Sequence, residues 1–328
     1  MKIGVIGAGA WGTALAQVAA SDGEAVRLWA LEPEVVLAIN ESRENPLYLP
    51  NIALDTGIQA TGDIDDLADC DALLLVTPAQ HLRSVLASAN VGNRPLILCC
   101  KGIEAGTGLL MSEAAQAVCP DAPVAVLSGP TFAHEVGRGL PTAVTLACED
   151  KPLGERIAAR MKRPAFRPYL SNDVIGAEIG GAVKNVLAIG CGVADGAGLG
   201  LNARAALISR GFAEMTRFGL ARGARAETLS GLSGLGDLVL TCSSTDSRNF
   251  SLGKALGEGR PAAELLANRR TVAEGAFTAP VLREVARAAG VEMPIVEAVC
   301  ALLEGSQPVA EVVEALLSRP IRTESTGR

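Results

Sequence analysis

The stretch GGAVKNVLAIG, residues 180–190, carries one charged side chain, Lys184, among small and apolar neighbours. A lysine is almost never fully buried unless it is paired. Gly180, Gly181 and Ala182 clear space beside it for a backbone or a ligand, and Asn185 follows. Apolar neighbours strip water from an amine and lower its proton affinity towards working pH. An amine tuned in this way gives or takes a proton. A structural reading stands beside the chemical one: a lysine that snorkels to the surface, or one paired with Glu178 or Asp195.

A second constellation lies near the start of the chain. Gly7-x-Gly9-x-x-Gly12 follows the apolar, β-branched run KIGVI and precedes the helix-like TALAQVAA. In that context the first glycine allows a tight turn, the second lets the backbone approach a pyrophosphate, and the third lets helix and strand pack closely. The helix N-terminus then faces the negative charge. The same segment also resembles a signal peptide. The glycine spacing and the turn-then-strand pattern of SDGEAVRLW argue against that reading.

These groups need a scaffold to hold them. AVRLWA, DALLLV, PLILCC and PVAVLS read as further buried strands, with helical segments at roughly 79–89 and 109–118. Strands alternating with helices predict a doubly wound parallel sheet, an α/β Rossmann-type domain over residues 1–172. TAVTLA and FRPYL extend it at one edge. Beyond residue 172 strand-like runs nearly vanish, and helices are expected at 174–193, 203–222, 248–258, 272–290, 294–304 and 308–317. The prediction is a C-terminal all-helical domain over residues 173–328.

Ligands of such sheets sit at the carboxyl ends of the strands. Three of those ends carry unusual loops: Pro78, Lys101-Gly102 and Gly129-Pro130-Thr131. Lys101 suits an anionic substrate, or is a surface lysine. Ser128 to Thr131 offers N–H groups and a hydroxyl to a ligand, or caps a helix. In the helical half, Asp237 follows a Gly-rich turn. Ser247-Arg248-Asn249 sets a guanidinium fork between two polar side chains, which suits a phosphate or simply begins a helix.

Composition narrows the field. With 49% hydrophobic and 20% charged residues the chain is not of disordered type. A net charge of −7 with no basic stripe argues against nucleic acid. The eight cysteines lack any C-x-x-C pair and there are two histidines, so no metal site is expected. Scattered cysteines read as buried free thiols of a reducing cytoplasm. No membrane insertion is expected.

Several stretches, in order along almost the whole chain, carry a likeness: GAGAWGTALA, NPLYLP, KGIEAGTG, LSGPTFAHEV, GLPTAV, IGAEIGGAVKNVLAIG, NARAALISRG, GLGDLVLTC, SRN and GVEMPI. The chain resembles the bacterial NAD(P)-dependent glycerol-3-phosphate dehydrogenases. The resemblance implies hydride transfer between NADH or NADPH and a small phosphorylated substrate, interconverting dihydroxyacetone phosphate and sn-glycerol 3-phosphate for phospholipid synthesis. It implies Lys184 as catalytic proton donor and acceptor. Lys101, Gly129, Thr131, Asn185, Asp237, Ser247, Arg248 and Asn249 would surround the substrate. Gly7, Gly9, Ala10, Trp11, Gly12, Lys101, Ala133, Arg248, Val272 and Glu274 would line the cofactor site. A homodimer is left open.

Two positions depart from the family pattern. Leu31 stands where relatives often carry a base, and Phe250-Ser251 follow SRN where relatives carry arginines. Glu32, twenty residues past Gly12, has the spacing of a ribose acceptor, yet it also precedes Pro33 and suits a helix start. With no base to reward a 2′-phosphate, similar use of NADH and NADPH is expected. Two other readings stand. One is a β-hydroxyacid dehydrogenase-like reductase, against which Ala188 counts because that group carries Lys-x-x-x-Asn. The other is a non-catalytic NAD(P)-binding regulator.

Overall fold

The apolar runs of the first half become the middle of one eight-stranded sheet. The computed structural model describes residues 1–267 and 273–318. Its strands are β1 (Ile3–Ile6), β2 (Val26–Trp29), β3 (Ile58–Thr61), β4 (Ala72–Leu75), β5 (Leu96–Leu98), β6 (Val124–Ser128), β7 (Thr142–Cys148) and β8 (Phe166–Ser171), in the order β3-β2-β1-β4-β5-β6-β7-β8. Neighbours from β3 to β6 run parallel. β7 is antiparallel to β6, and β8 is parallel to β7.

Every residue of β1 and β4 is buried, as expected of parallel strands covered on both faces. Side chains alternate between two cores. Ile3, Val5, Leu74 and Ile97 pack with Leu15, Ile39 and Ile157. Ile6, Leu73, Leu75 and Leu98 pack with Leu82, Leu86 and Met111. The covering helices are α1 (Ala10–Ala20), α2 (Pro33–Ser42), α3 (Leu82–Ser88), α4 (Met111–Val118), α5 (Ala133–Gly137) and α6 (Lys151–Met161).

β3 was not expected from the sequence. Its four residues, IQAT, bury Ile58 and Ala60 but expose Gln59, so no apolar run announces them. The strand order reverses between β1 and β4, and in such sheets that switch point opens the ligand crevice.

Contacts divide the chain into two units, Met1–Glu104 with Leu109–Glu178, and Ala105–Gly108 with Ile179 onward. The second half is helical. Its elements are α7 (Val174–Gly196), α8 (Gly200–Ala221), α9 (Ala226–Leu229), α10 (Asp237–Thr241), α11 (Arg248–Gly257), α12 (Ala262–Ala267), α13 (Glu274–Ala288), α14 (Pro294–Leu303) and α15 (Val309–Leu317). A π-helical segment, Leu232–Gly236, leads into α10.

α7 is long and apolar enough to cross a membrane, but 89% of its apolar window is buried inside the protein. Small residues let α11 lie directly on it. A Cβ added at Gly192 would sit 2.1 Å from the Phe250 carbonyl oxygen, and one at Gly253 would sit 2.0 Å from that of Ile189. Both helices therefore need glycine where their backbones meet.

Candidate active site

In the first unit the glycine turn joins β1 to α1. Gly7 has φ +112°, a conformation glycine adopts without strain. A Cβ at Gly12 would fall 1.8 Å from the Gly7 carbonyl oxygen, so that position admits glycine alone. A Cβ at Gly9 meets nothing within 4 Å. Gly9 thus faces open space at the start of α1. That helix begins with no side-chain cap and no acidic residue in its first turn. Its first N–H groups are therefore left for an anion.

Four buried polar atoms of this unit have no hydrogen-bond partner among the described residues: Arg160 Nη2 on α6, and, nearer the glycine turn and the strand ends, Trp11 Nε1, Thr77 Oγ1 and Ser128 Oγ. Trp11 lies in the first turn of α1. Thr77 and Ser128 lie at the carboxyl ends of β4 and β6. Buried polar groups are normally paired, so orphans along one sheet edge mark a place where a ligand or ordered water belongs. The residues present fit a dinucleotide.

Lys101 and Thr131 converge on one atom. Lys101 Nζ donates to the Gly129 carbonyl at 3.3 Å, and Thr131 Oγ1 donates to the same oxygen at 3.3 Å. α5, opened by Ala133, packs against α1, and Ala10, Trp11 and Ala133 share its apolar cluster.

In the second unit the small residues before Lys184 have a definite use. A Cβ at Gly180 would lie 2.3 Å from the Ser233 carbonyl oxygen. The π-helical segment can therefore rest against α7, one turn before Lys184. Four residues past Ser233 comes Asp237, and its carboxylate meets the lysine: Nζ donates to Oδ1 at 2.5 Å. Lys184 also donates to Thr241 Oγ1 at 2.9 Å. Lys184 is 6% exposed and Asp237 fully buried.

Asp237 was not among the ion-pair partners considered for Lys184 from the sequence. Glu178 accepts from the Ser112 backbone and hydroxyl, and Asp195 pairs with Arg204 and Lys254. Beside the cluster, a hydrogen bond with Cys191, together with burial, pushes the Cys242 thiol well up.

Asn185 and Asn249 come together. Asn249 Nδ2 donates to Asn185 Oδ1 at 3.0 Å, and Asn249 Oδ1 accepts from the Gly275 N–H at 2.9 Å. Glu274 opens α13 immediately before Gly275. Ser247 caps α11, its Oγ accepting from the Phe250 N–H at 3.2 Å. The cap leaves its hydroxyl proton available to donate. Arg248 is the first residue of α11 and is exposed. Val272 lies outside the described residues.

Thr241 was not singled out from the sequence. Its signal was present: four residues after Asp237, it shares a helix face with it. Thr77 had a weaker signal, a polar end to an apolar run.

A glycine turn on a doubly wound sheet, with a buried lysine–aspartate pair in a helical unit, defines a nicotinamide-dependent dehydrogenase. The family model described as the NAD-dependent glycerol-3-phosphate dehydrogenase N-terminus matches residues 2–153, and that for its C-terminus matches residues 173–314. The chain belongs to this family. A relative from Novosphingobium aromaticivorans, named glycerol-3-phosphate dehydrogenase [NAD(P)+], is 65% identical over 99% of this chain and 98% of its own. One of the same name from Erythrobacter litoralis is 63% identical, covering 98% of each. The crystal structure of glycerol-3-phosphate dehydrogenase from Coxiella burnetii superposes with TM-score 0.92 at 37% identity, over 97% of this chain and 99% of that one. These matches set aside the β-hydroxyacid dehydrogenase and regulator readings.

Proposed function

We infer that the protein is an NAD(P)-dependent glycerol-3-phosphate dehydrogenase that interconverts dihydroxyacetone phosphate and sn-glycerol 3-phosphate. The observation that carries its mechanism is the buried Lys184 ammonium, fixed by Asp237 and Thr241.

The glycine turn, Trp11 and the first turn of α1 would hold the dinucleotide, whose bound reduced form supplies the hydride that C2 of the ketone accepts. Lys184 does the proton work. A nearby carboxylate favours the ammonium form, so Nζ keeps a proton to place on the C2 oxygen. As negative charge builds on that oxygen, the same ammonium stabilises it. Asp237 and Thr241 aim Nζ and limit its motion, so little orientation entropy is lost during reaction. In the reverse direction Lys184 takes the proton from the C2 hydroxyl.

The substrate phosphate suits the start of α11. Ser247 has its hydroxyl proton free to donate, and Arg248 offers a guanidinium at the positive end of a ten-residue helix. Lys101, Gly129 and Thr131 are the further substrate contacts of this reading, and Asn249 braces Asn185 beside Lys184. Ala133 and Glu274 are the further cofactor contacts of this reading. The same reading places the enzyme in the cytoplasm, supplying phospholipid synthesis, with a homodimer as the assembly to test by its mass in solution.

The direct test is NADH and NADPH oxidation by the purified chain. Consumption that requires dihydroxyacetone phosphate supports the reading. Equal rates with an unphosphorylated hydroxy-ketone would overturn the substrate assignment.

A further inference from the structure

We propose that Arg83 and Glu104 are positioning residues that act through Lys101: their ion pair clamps the loop after β5, so that the Lys101 ammonium is presented to an anionic substrate at the carboxyl edge of the sheet. This rests on the reading of Lys101 as a substrate contact and extends it to two residues that touch no substrate.

Lys101 follows β5 and is half-buried, with Nζ on the Gly129 carbonyl just past β6. The backbone on both sides of it is pinned. On the near side the Cys99 N–H donates to the Leu75 carbonyl, at the end of β4, at 2.9 Å. On the far side Gln80 Nε2 donates to the Ile103 carbonyl at 2.8 Å. Ile103 is fully buried and bridges to Leu110. Glu104 comes next and is 8% exposed. Its two carboxylate oxygens accept separately from Arg83 Nε and Nη2, each at 2.8 Å. Its own N–H donates to the Leu109 carbonyl at 2.9 Å.

The clamp comes from the chain that follows the neighbouring strand, β4. Gln80 lies in a 3₁₀ turn, Ala79–His81, and Arg83 is the second residue of α3. Leu82 and Leu86, on either side of Arg83, are buried in the core and give that helix a fixed seat. Arg83 is badly placed for helix stability alone. The first turn of a helix is its positive end and favours an acid, and α3 has no acid there. A partly exposed ion pair also adds little stability unless its geometry is bidentate. What two parallel bonds do supply is direction as well as distance. Lys101 needs that supply. A lysine is a point charge on a flexible four-carbon stem, so the place of its backbone decides where the charge can reach.

A double-mutant cycle tests this, with steady-state kinetics at saturating NADH and varied dihydroxyacetone phosphate. The proteins are the unaltered chain, Arg83→Gln, Lys101→Ala and the double variant. Arg83→Gln should lower kcat/KM by about tenfold when Lys101 is present, and by no more than about twofold when it is Ala, because residues that act through one another are not additive. Arg83→Lys keeps the charge but loses the fork, so it should resemble Arg83→Gln. If Arg83→Gln does not fold, Glu104→Gln, which keeps its shape, enters the same cycle with the same expectation. A clamp that merely tethers the loop would lower the melting temperature and leave kcat/KM alone, which would overturn the proposal. Equal losses with and without Lys101 would overturn it too, as would near-native kcat/KM in Arg83→Lys. If Lys101→Ala alone leaves kcat/KM unchanged, Lys101 is no substrate contact and the clamp loses its purpose. No turnover of dihydroxyacetone phosphate by the unaltered chain would instead overturn the dehydrogenase reading itself.

Discussion

The Lys184 ammonium lies 2.5 Å from a carboxylate oxygen of Asp237, and neither group reaches solvent to any extent. Such a pair is weak evidence for stability, since burying two charges costs about what their attraction returns. On the proposed mechanism the pair is there to do chemistry. The consequence is measurable. Lys184→Met takes the ammonium from the buried Asp237 carboxylate, and Asp237→Leu takes the carboxylate from the buried ammonium. Each should lower unfolding free energy by about 3–5 kcal/mol. The double variant should recover most of that loss and none of the activity. Chemical denaturation of the four proteins checks it. A double variant no more stable than either single one would mean that the pair supports the fold.

Thr241→Val keeps shape and removes one hydrogen bond to a charged group, a bond worth about 1.5–3 kcal/mol. The expected effect is a fall in kcat of about 10- to 100-fold with substrate KM little changed, because Thr241 aims Nζ and does not hold the phosphate. A rise in KM at constant kcat would contradict this.

Arg248→Ala should act on the other parameter. Loss of a charge-assisted contact to phosphate should raise KM for dihydroxyacetone phosphate by at least about tenfold. Dihydroxyacetone, which lacks the phosphate, should show little further loss. Equal damage to both substrates would make Arg248 structural.

The Cys300 thiol is 1% exposed, and burial pushes it up to about 11 from an ordinary value of 9.0. The folded state therefore keeps a proton that the unfolded chain sheds. The resulting stability is fully present below pH 9 and is lost as pH rises towards 11. A shift of this size corresponds to about 3 kcal/mol. Cys300→Ala should flatten the decline of melting temperature across that window. An unchanged slope would show that the thiol ionises equally in both states.

The central sheet was legible because both faces are covered, which turns β1, β4 and β6 into unbroken apolar runs. β3 was not, since an edge strand with Gln59 and Thr61 on its surface looks like a loop. Within the site, Lys184 announced itself by contrast with its neighbours. Its true partner did not, because Asp237 lies 53 residues away and reaches it only once Gly180 lets the π-helical segment close on α7. Local pattern reveals elements and odd residues; which odd residues meet is decided by packing between distant segments.

The most direct test of the account is steady-state turnover by Lys184→Met with dihydroxyacetone phosphate and NADH both saturating, alongside NADH affinity measured on the same sample. The cofactor elements belong to other parts of the chain, so NADH affinity should be unchanged, while turnover should fall by about 10²–10⁴-fold. Near-native turnover in a variant that binds NADH normally would contradict the assignment of Lys184 as the proton donor.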